Sequence, residues 1–266
     1  MSLLPALASN LPAAVFSGGA ALTYAVLAIA HPRMSAPQSR GLLGLAWLLH
    51  LVVLVLGLFE QPARFGFAPA LSVTGWLVLT VYLIESRLYP QMRARWTLAI
   101  LGMVVVLLAL VFPGTRYPAL HSALLPLHWA LGIASYGLIA AAVVHAWLMQ
   151  RAEKAMRLGN ASEASMPLLT LERLTFRFVA AGFALLSATL LAGWYFSETL
   201  NHRWIWDHKT TFSLLSWITM GVLLWGRWRL GWRGRVAVRT LYVAAGFLLL
   251  GYAGSRFVLE VMLHRG

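Results

Sequence analysis

The chain contains no cysteine and few acidic residues, and both absences limit what it can do. Without cysteine it has no disulfides, no thiolate metal ligands and no thiol redox chemistry. Only 11% of its 266 residues are charged, and no more than eight are Asp or Glu. A water-soluble domain of this length could not cover its surface with so few charges. Because 60% of the residues are hydrophobic, lipid is the expected solvent.

Long apolar runs make up most of the sequence. A bilayer core needs about 20 apolar residues per helix, and a helix pairs its own backbone groups within the span. Eight runs of this kind lie at residues 12–30, 41–59, 68–84, 97–112, 124–149, 175–197, 211–226 and 236–263. The fifth is expected to continue past the membrane through Arg151 to Arg157, before Gly159 ends it. The sequence therefore predicts an all-α, polytopic membrane protein with eight transmembrane helices in a single domain, residues 1–266.

The basic residues predict the orientation of these helices. Fifteen of the 21 Lys and Arg residues lie in the connections after helices one, three, five and seven. Cytoplasmic loops carry the excess of Lys and Arg, so both termini are expected outside the cytoplasm, on the periplasmic side of a bacterial inner membrane. The net charge of +13 is gathered in short loop clusters and not along one polar face, so nucleic acid is not expected as a partner.

Histidines are concentrated on the predicted outer side, where Lys and Arg are few. That side contains five of the eight, His121, His128, His202, His208 and His264. His50 falls in the middle of helix two, and His145 lies toward the cytoplasmic end of helix five. Since a neutral imidazole can bind a transition metal, the outer histidines are candidate ligands. The alternative interpretation is that imidazoles occur there because they tolerate the polar membrane interface.

The eighth predicted helix contains ionisable residues at a helical spacing. Arg256, Glu260 and His264 follow one another at intervals of four, which predicts one stripe on the helix surface. Such residues are expected to face the bundle interior or a wet cavity, because lipid exposure costs several kcal/mol. Arg256 and Glu260 could neutralise each other and fix helix packing. Alternatively, Arg256 could bind a carboxylate of an anionic ligand.

The connection between helices six and seven combines aromatic and hydrogen-bonding side chains. It reads Asn201-His202-Arg203-Trp204-Ile205-Trp206-Asp207-His208-Lys209-Thr210. Tryptophan is a common anchor at membrane interfaces. Alternatively, two tryptophans flanked by His, Asp, His and Lys could cradle a flat, apolar molecule that bears a carboxylate and lies at the bilayer surface. The sequence contains no nucleotide-binding, hydrolase or metalloprotease motif, so an enzyme is not expected.

Two blocks of sequence carry a family resemblance. The first is Leu127-His128-Trp129 followed by Ala134-Ser135-Tyr136-Gly137. The second runs from Trp204 through Asp207-His208-Lys209-Thr210, Trp217 and Gly231-Trp232-Arg233-Gly234-Arg235 to Gly251-Tyr252, Gly254-Ser255 and His264. In these residues the chain resembles the cytochrome c assembly family of haem-handling membrane proteins, CcsA/ResC type, and is most similar to its short YpjD-like branch.

This resemblance implies a haem site at the outer face. It implies that two outer histidines, His128 and His264, supply the axial ligands of a non-covalently held haem b. The haem-facing segment would contain Trp204, Trp206 and Asp207. Internal histidines receive haem on its way out in the family, and the candidates here are His50 and His145. Further candidates for the site are Arg256, His121, His208 and Glu260.

The functional hypothesis that follows is a non-catalytic protein that holds or presents haem b for c-type cytochrome assembly. Its expected partners are membrane lipid and either cytochrome c assembly proteins or another membrane complex. The alternative hypothesis is a cofactor-free accessory or regulatory subunit of a membrane transport or metal-homeostasis complex. A transporter with Arg256 and Glu260 in its path is less favoured, because no span is broken at mid-depth by paired Gly and Pro.

Overall fold

The structure is a computed structural model, and it describes residues 11–59, 64–88, 95–116, 124–158, 167–201 and 207–262. Eight long helices account for most of these residues: α1 Leu11–Ala30, α2 Ala36–Phe59, α3 Phe67–Leu88, α4 Arg95–Val111, α5 Leu124–Arg157, α6 Leu168–Asn201, α7 His208–Leu230 and α8 Gly234–Leu249. A 3-10 turn, His31–Arg33, follows α1. The only strands in the described ranges are β1 Arg64–Phe65 and β2 Thr115–Arg116, which pair antiparallel. The predicted all-α class is therefore confirmed.

The helical path after α8 is irregular. A π-helical turn, Leu250–Gly254, leads into the short α9, Ser255–Phe257, and a second π-helical turn covers Val258–Met262. The wide π turn is rare and is found mostly as single turns within α-helices, frequently at functional sites. The prediction that the ionisable residues form one stripe assumed regular α-helical spacing. The π turns change the angle between successive residues around the helix axis, and so they change which residues lie on the same side.

Among the described residues, six helical segments are long and apolar enough to cross a bilayer. They are Leu11–Arg33, Ala36–Gly57, Phe67–Arg87, Leu127–Arg157, Leu168–Tyr195 and Gly234–Met262. A further apolar helix, Trp96–Val111, is shorter, and α7 is not among the six. Large apolar side chains such as Ile29 and Leu191 are exposed on these helices, as expected of surfaces that face lipid.

The chain forms two compact units, residues 1–119 with 259–266 and residues 120–258. In the first unit, α1 packs against α2 and α4, and α3 packs against the same two helices. Small residues permit this close approach: a Cβ atom on Gly102 would lie 2.7 Å from Cζ of the fully buried Tyr24. The expectation of a single domain stays a prediction.

In the second unit, α5 to α8 form a closed set of four neighbouring antiparallel helices. Its core contains Ile139, Leu186, Met220, Ala244 and Leu248. Polar side chains also form hydrogen bonds between the helices across this core. The Ser216 hydroxyl donates to the carbonyl oxygen of Ala244 at 2.8 Å, and Trp217 Nε1 donates to Ser187 Oγ at 2.7 Å. Interhelical bonds of this kind supplement van der Waals packing where both helices and solvent are apolar.

Replacing Gly102 with alanine is expected to destabilise the protein by about 1–3 kcal/mol, because the buried Tyr24 ring cannot move aside without disturbing its own contacts. The measurement is thermal unfolding in detergent, followed by circular dichroism. Gly44→Ala is the matched control, since no side chain or neighbouring helix lies within 4 Å of an added Cβ. Equal melting temperatures for the two variants would count against tight packing at Gly102.

Candidate functional site

The second unit has two chemically different ends. Because its helices alternate in direction, the start of α5, the end of α6, the start of α7 and the π turn after α8 lie together. This end, the histidine end, contains His128, Asp207, His208 and Tyr252. The opposite end, the arginine end, contains Arg173, Arg177, Arg227 and Arg233. The predicted functional residues of this unit thus fall mainly at one end, away from most of the basic residues.

His128 lies in the first turns of α5 and is held against α6. A Cβ atom on Gly193 would be 3.2 Å from Cε1 of His128 and 3.9 Å from Nδ1, so the glycine makes room for the imidazole. The main chain of Thr189, one turn earlier in α6, also lies beside the ring. His128 is half-buried. Two contacts from one neighbouring helix therefore set the position of this imidazole.

Tyr136 joins α5 to the π turn that follows α8. Its hydroxyl donates to the carbonyl oxygen of Leu248 at 2.5 Å and lies near the main chain of Tyr252. On the other side of the turn, a Cβ on Gly251 would lie 3.3 Å from both Phe212 Cβ and Ser213 Oγ of α7. A larger residue than glycine would separate the turn from α7. The π turn is thus fixed from two sides by motif residues of the sequence.

Asp207 and the residues after it begin α7. The Asp207 carboxylate accepts a hydrogen bond from the Thr210 amide at 2.8 Å, which caps the helix. Lys209 Nζ lies 6.0 Å from the centre of the Tyr252 ring, at the outer limit of a cation-π contact. Asp207 and His208 are exposed. The structure therefore brings the Asp-His-Lys-Thr and Gly-Tyr motifs together, and it adds a structural role for Asp207.

Arg256 and Glu260 lie on the segment that ends the described chain. Arg256, in α9, belongs to the second unit and is half-buried. Glu260, in the second π turn, belongs to the first unit, where both carboxylate oxygens would be 2.8 Å from a Cβ on Gly66. The same Cβ would lie 2.8 Å from Cα of Gly114. The absence of a side chain at Gly66 thus leaves room for both the Glu260 carboxylate and the backbone of Gly114.

His50 lies in a buried hydrogen-bonded group of the first unit. Its Nδ1 is 3.3 Å from the Tyr24 hydroxyl and its Nε2 is 2.9 Å from Ser72 Oγ. All three residues have no solvent exposure. To bind haem iron, the imidazole would have to exchange one of these partners for the metal. Sequence reasoning missed Tyr24 and Ser72, since nothing local links three residues on three different helices.

His145 is the second internal histidine among the candidates. It is buried in α5, where Nδ1 lies 2.8 Å from the carbonyl oxygen of Ala141 in the preceding turn. Its ring packs at a tilt on Phe178 of α6, with centroids 5.1 Å apart. The backbone contact is local to α5, and the aromatic contact joins α5 to α6.

The remaining candidate residues, His121, Trp204, Trp206 and His264, lie outside the described residues. The proposed pairing of His128 with His264, and the haem-facing tryptophan segment, therefore stay predictions from the sequence. Of the histidines predicted at the outer face, the structure describes His128 and His208.

These features define an all-helical membrane protein with histidine and tyrosine side chains anchored at one end of its second unit. A family model described as cytochrome c assembly protein matches residues 36–263. The chain belongs to the cytochrome c assembly protein family, and the resemblance drawn from its two sequence blocks is confirmed.

Individual relatives match parts of the chain. An uncharacterized 28.8 kDa protein in the nifR3-like 5' region of Azospirillum brasilense is 34% identical over 144 residues, 52% of each chain. The inner membrane protein YpjD of Escherichia coli (strain K12) is 36% identical over 96 residues, 36% of each chain. The cytochrome c biogenesis protein CcsA of Gloeobacter violaceus is 30% identical over 107 residues, 40% of this chain and 30% of the relative. The chain thus spans about half the length of these relatives or less, and no solved structure matches it.

Proposed function

We propose that this chain holds haem b without a covalent bond at the outer face of the bacterial inner membrane and presents it for c-type cytochrome assembly. Membership of the cytochrome c assembly family over residues 36–263 supports this role. The names of two relatives, an inner membrane protein and a cytochrome c biogenesis protein, support the location and the process. In this proposal the protein carries out no reaction of its own.

The observation that carries the proposal is the position of His128. Its imidazole is the donor type that haem iron takes in many proteins, and it is oriented by Gly193 and Thr189 at the less basic end of the second unit. A half-buried ring held in this way loses little freedom when it binds a ligand. His128 therefore fits one axial position. Bound haem would supply a redox-active iron, while the protein holds and orients it.

The other proposed contacts rest on the sequence. His264 would supply the second axial ligand, and Trp204, Trp206 and Asp207 would line the haem-facing segment. The guanidinium of Arg256 would pair with a haem carboxylate. A planar guanidinium suits this charge-assisted contact because it can donate two parallel hydrogen bonds to one carboxylate. His50 and His145 would take part in internal reception of haem, and the outer part of the site would include His121, His208 and Glu260.

The proposed topology has eight membrane crossings with both termini in the periplasm. The six long apolar segments account for most of these crossings, and α4 and α7 would complete them. The separation of the histidine end from the arginine end supports the orientation, because Lys and Arg accumulate on the cytoplasmic side. The histidine end would then face the periplasm, where other cytochrome c assembly proteins would act as partners.

The direct test is an absorption spectrum of detergent-purified protein from haem-replete cells, reduced minus oxidised, together with a pyridine haemochrome assay. We expect near-stoichiometric haem b with the spectrum of two histidine ligands. A colourless protein whose circular dichroism shows full helix content would overturn the proposal. It would favour a cofactor-free accessory subunit, and co-purifying proteins would then be identified by mass spectrometry.

A further inference from the structure

The arginine end of the second unit contains an open groove between α6 and the end of α7. The groove has a volume of about 560 Å³. Its polar walls are Glu172, Arg173, Arg177, Arg227 and Arg233, and its apolar part includes Leu169 and Phe176. It lies at the end of the unit away from His128, so it is not explained by a haem site at the histidine end.

The groove carries an excess of positive charge that its own carboxylate does not balance. Four guanidinium groups line it together with a single carboxylate, that of the buried Glu172. Arg227 Nη1 lies 2.5 Å from Glu172 Oε1, and Arg233 Nε lies 3.5 Å from the same oxygen. Within the described chain, Arg173 and Arg177 have no acidic partner. Such an arrangement attracts an anion, and planar guanidinium groups suit phosphate oxygens in particular.

Arg227 is already held in place on the groove wall. Besides Glu172, it donates a hydrogen bond to the carbonyl oxygen of Trp232 at 3.2 Å, and its guanidinium lies 4.6 Å from the centre of the Phe176 ring. Trp232 in turn packs on the backbone of Gly226, where a Cβ atom would come within 2.5 Å of its ring. The turn after α7 therefore fixes one donor in advance, which lowers the entropic cost of binding an anion.

The surroundings of the groove place it at the level of a membrane interface. Trp225 and Trp228 of α7 are 56% and 74% exposed, and the guanidinium of Arg229 lies 4.4 Å from the Trp228 ring. Exposed tryptophan beside arginine is typical of the boundary between headgroups and acyl chains. Leu169, 69% exposed, provides an apolar edge of the groove itself. A ligand that fits has a negative head and an apolar tail.

We propose that this groove binds an anionic phospholipid, with the phosphodiester headgroup between Arg173, Arg177 and Arg227 and an acyl chain along Leu169 and Phe176. Basic pockets between membrane helices are known to hold such headgroups. The charge of the groove selects phosphatidylglycerol over a zwitterionic lipid, and its apolar edge selects a lipid over free phosphate. The site acts independently of whether the histidine end binds haem.

The test is native mass spectrometry of the full chain in neutral detergent, titrated with phosphatidylglycerol or phosphatidylcholine. We expect phosphatidylglycerol to bind in preference, and Arg173→Gln with Arg177→Gln to weaken that binding roughly thirtyfold, since each arginine near a membrane surface contributes roughly fivefold. These two side chains are exposed, so the double variant is expected to keep its melting temperature. Equal affinity for both lipids would overturn the proposal.

Two controls separate this site from general surface charge and from a free-anion site. Arg235→Gln with Arg239→Gln removes the same charge from exposed positions of α8 outside the groove, and it is expected to leave lipid binding within about twofold of the original. An equal loss of affinity in both double variants would overturn the site. Displacement of bound phosphatidylglycerol by an equal concentration of inorganic phosphate would show that the groove takes a free anion and not a lipid.

Discussion

Replacing His128 with alanine is expected to remove most of the haem from the purified protein. The substitution deletes the one proposed axial imidazole that the structure describes, and a metal site loses roughly tenfold or more in affinity even when only a supporting residue is changed. The measurement is the haemochrome content per polypeptide, with the reduced spectrum of the remaining haem. His264→Ala is expected to give the same loss. Normal haem content in the double variant, His128→Ala with His264→Ala, would contradict the proposal.

Two further variants distinguish a ligand from a residue that only supports the fold. His31→Ala is the matched control, because His31 stacks on Trp96 in the first unit and is outside the proposed site. It is expected to leave haem content unchanged. His128→Gly creates space for added imidazole, and millimolar imidazole is expected to restore the spectrum. Failure of that rescue in a well-folded variant would assign His128 a structural role.

Replacing His50 with alanine is expected to destabilise the protein by about 2–4 kcal/mol. The change leaves the Tyr24 and Ser72 hydroxyls without the imidazole between them and opens a cavity in a fully buried region. Tyr24→Phe and Ser72→Ala each remove one bond and keep the imidazole, so about 1 kcal/mol is expected for each. The measurement is reversible unfolding in mixed detergent micelles.

The double variant Tyr24→Phe/Ser72→Ala shows whether the three residues act as one group. Because both hydroxyls bind the same ring, their losses are expected not to add. A His50→Ala variant as stable as the original protein would contradict a supporting role for this group. Haem content measured in the same variants reports on His50 as a receiver of haem, since the hydroxyl variants retain the imidazole.

Much of the helical architecture follows from the apolar runs. The run at 12–30 corresponds to α1, Leu11–Ala30, and the run at 97–112 to α4, Arg95–Val111. Several helices extend beyond their runs, since α5 continues to Arg157 and α6 begins at Leu168. The charged residues after the fifth run predict the extension of α5. They do not predict the early start of α6, because charged helical turns outside an apolar run resemble a solvated linker.

The residues of the candidate site are predictable from the sequence, but their contacts are not. Short motifs are enough to single out His128, Tyr136, Asp207 and Tyr252. The bond from Tyr136 to Leu248 joins residues more than a hundred positions apart, and no local pattern predicts it. The two π turns after α8 are equally unexpected, since the periodicity of an apolar segment does not show where a helix widens.

The order of residues along the chain is enough to establish the solvent, the helical class, the family and the separation of histidines from most basic residues. These properties depend on composition and on short-range order, because lipid requires long apolar runs and paired backbone groups. Folding alone determines which distant side chains meet: Tyr24 and Ser72 with His50, Gly193 with His128, and Glu172 with Arg227. Such pairs depend on how each helix is rotated and packed against its neighbours. Many sequences with the same apolar pattern would pack with other rotations and bring other side chains together.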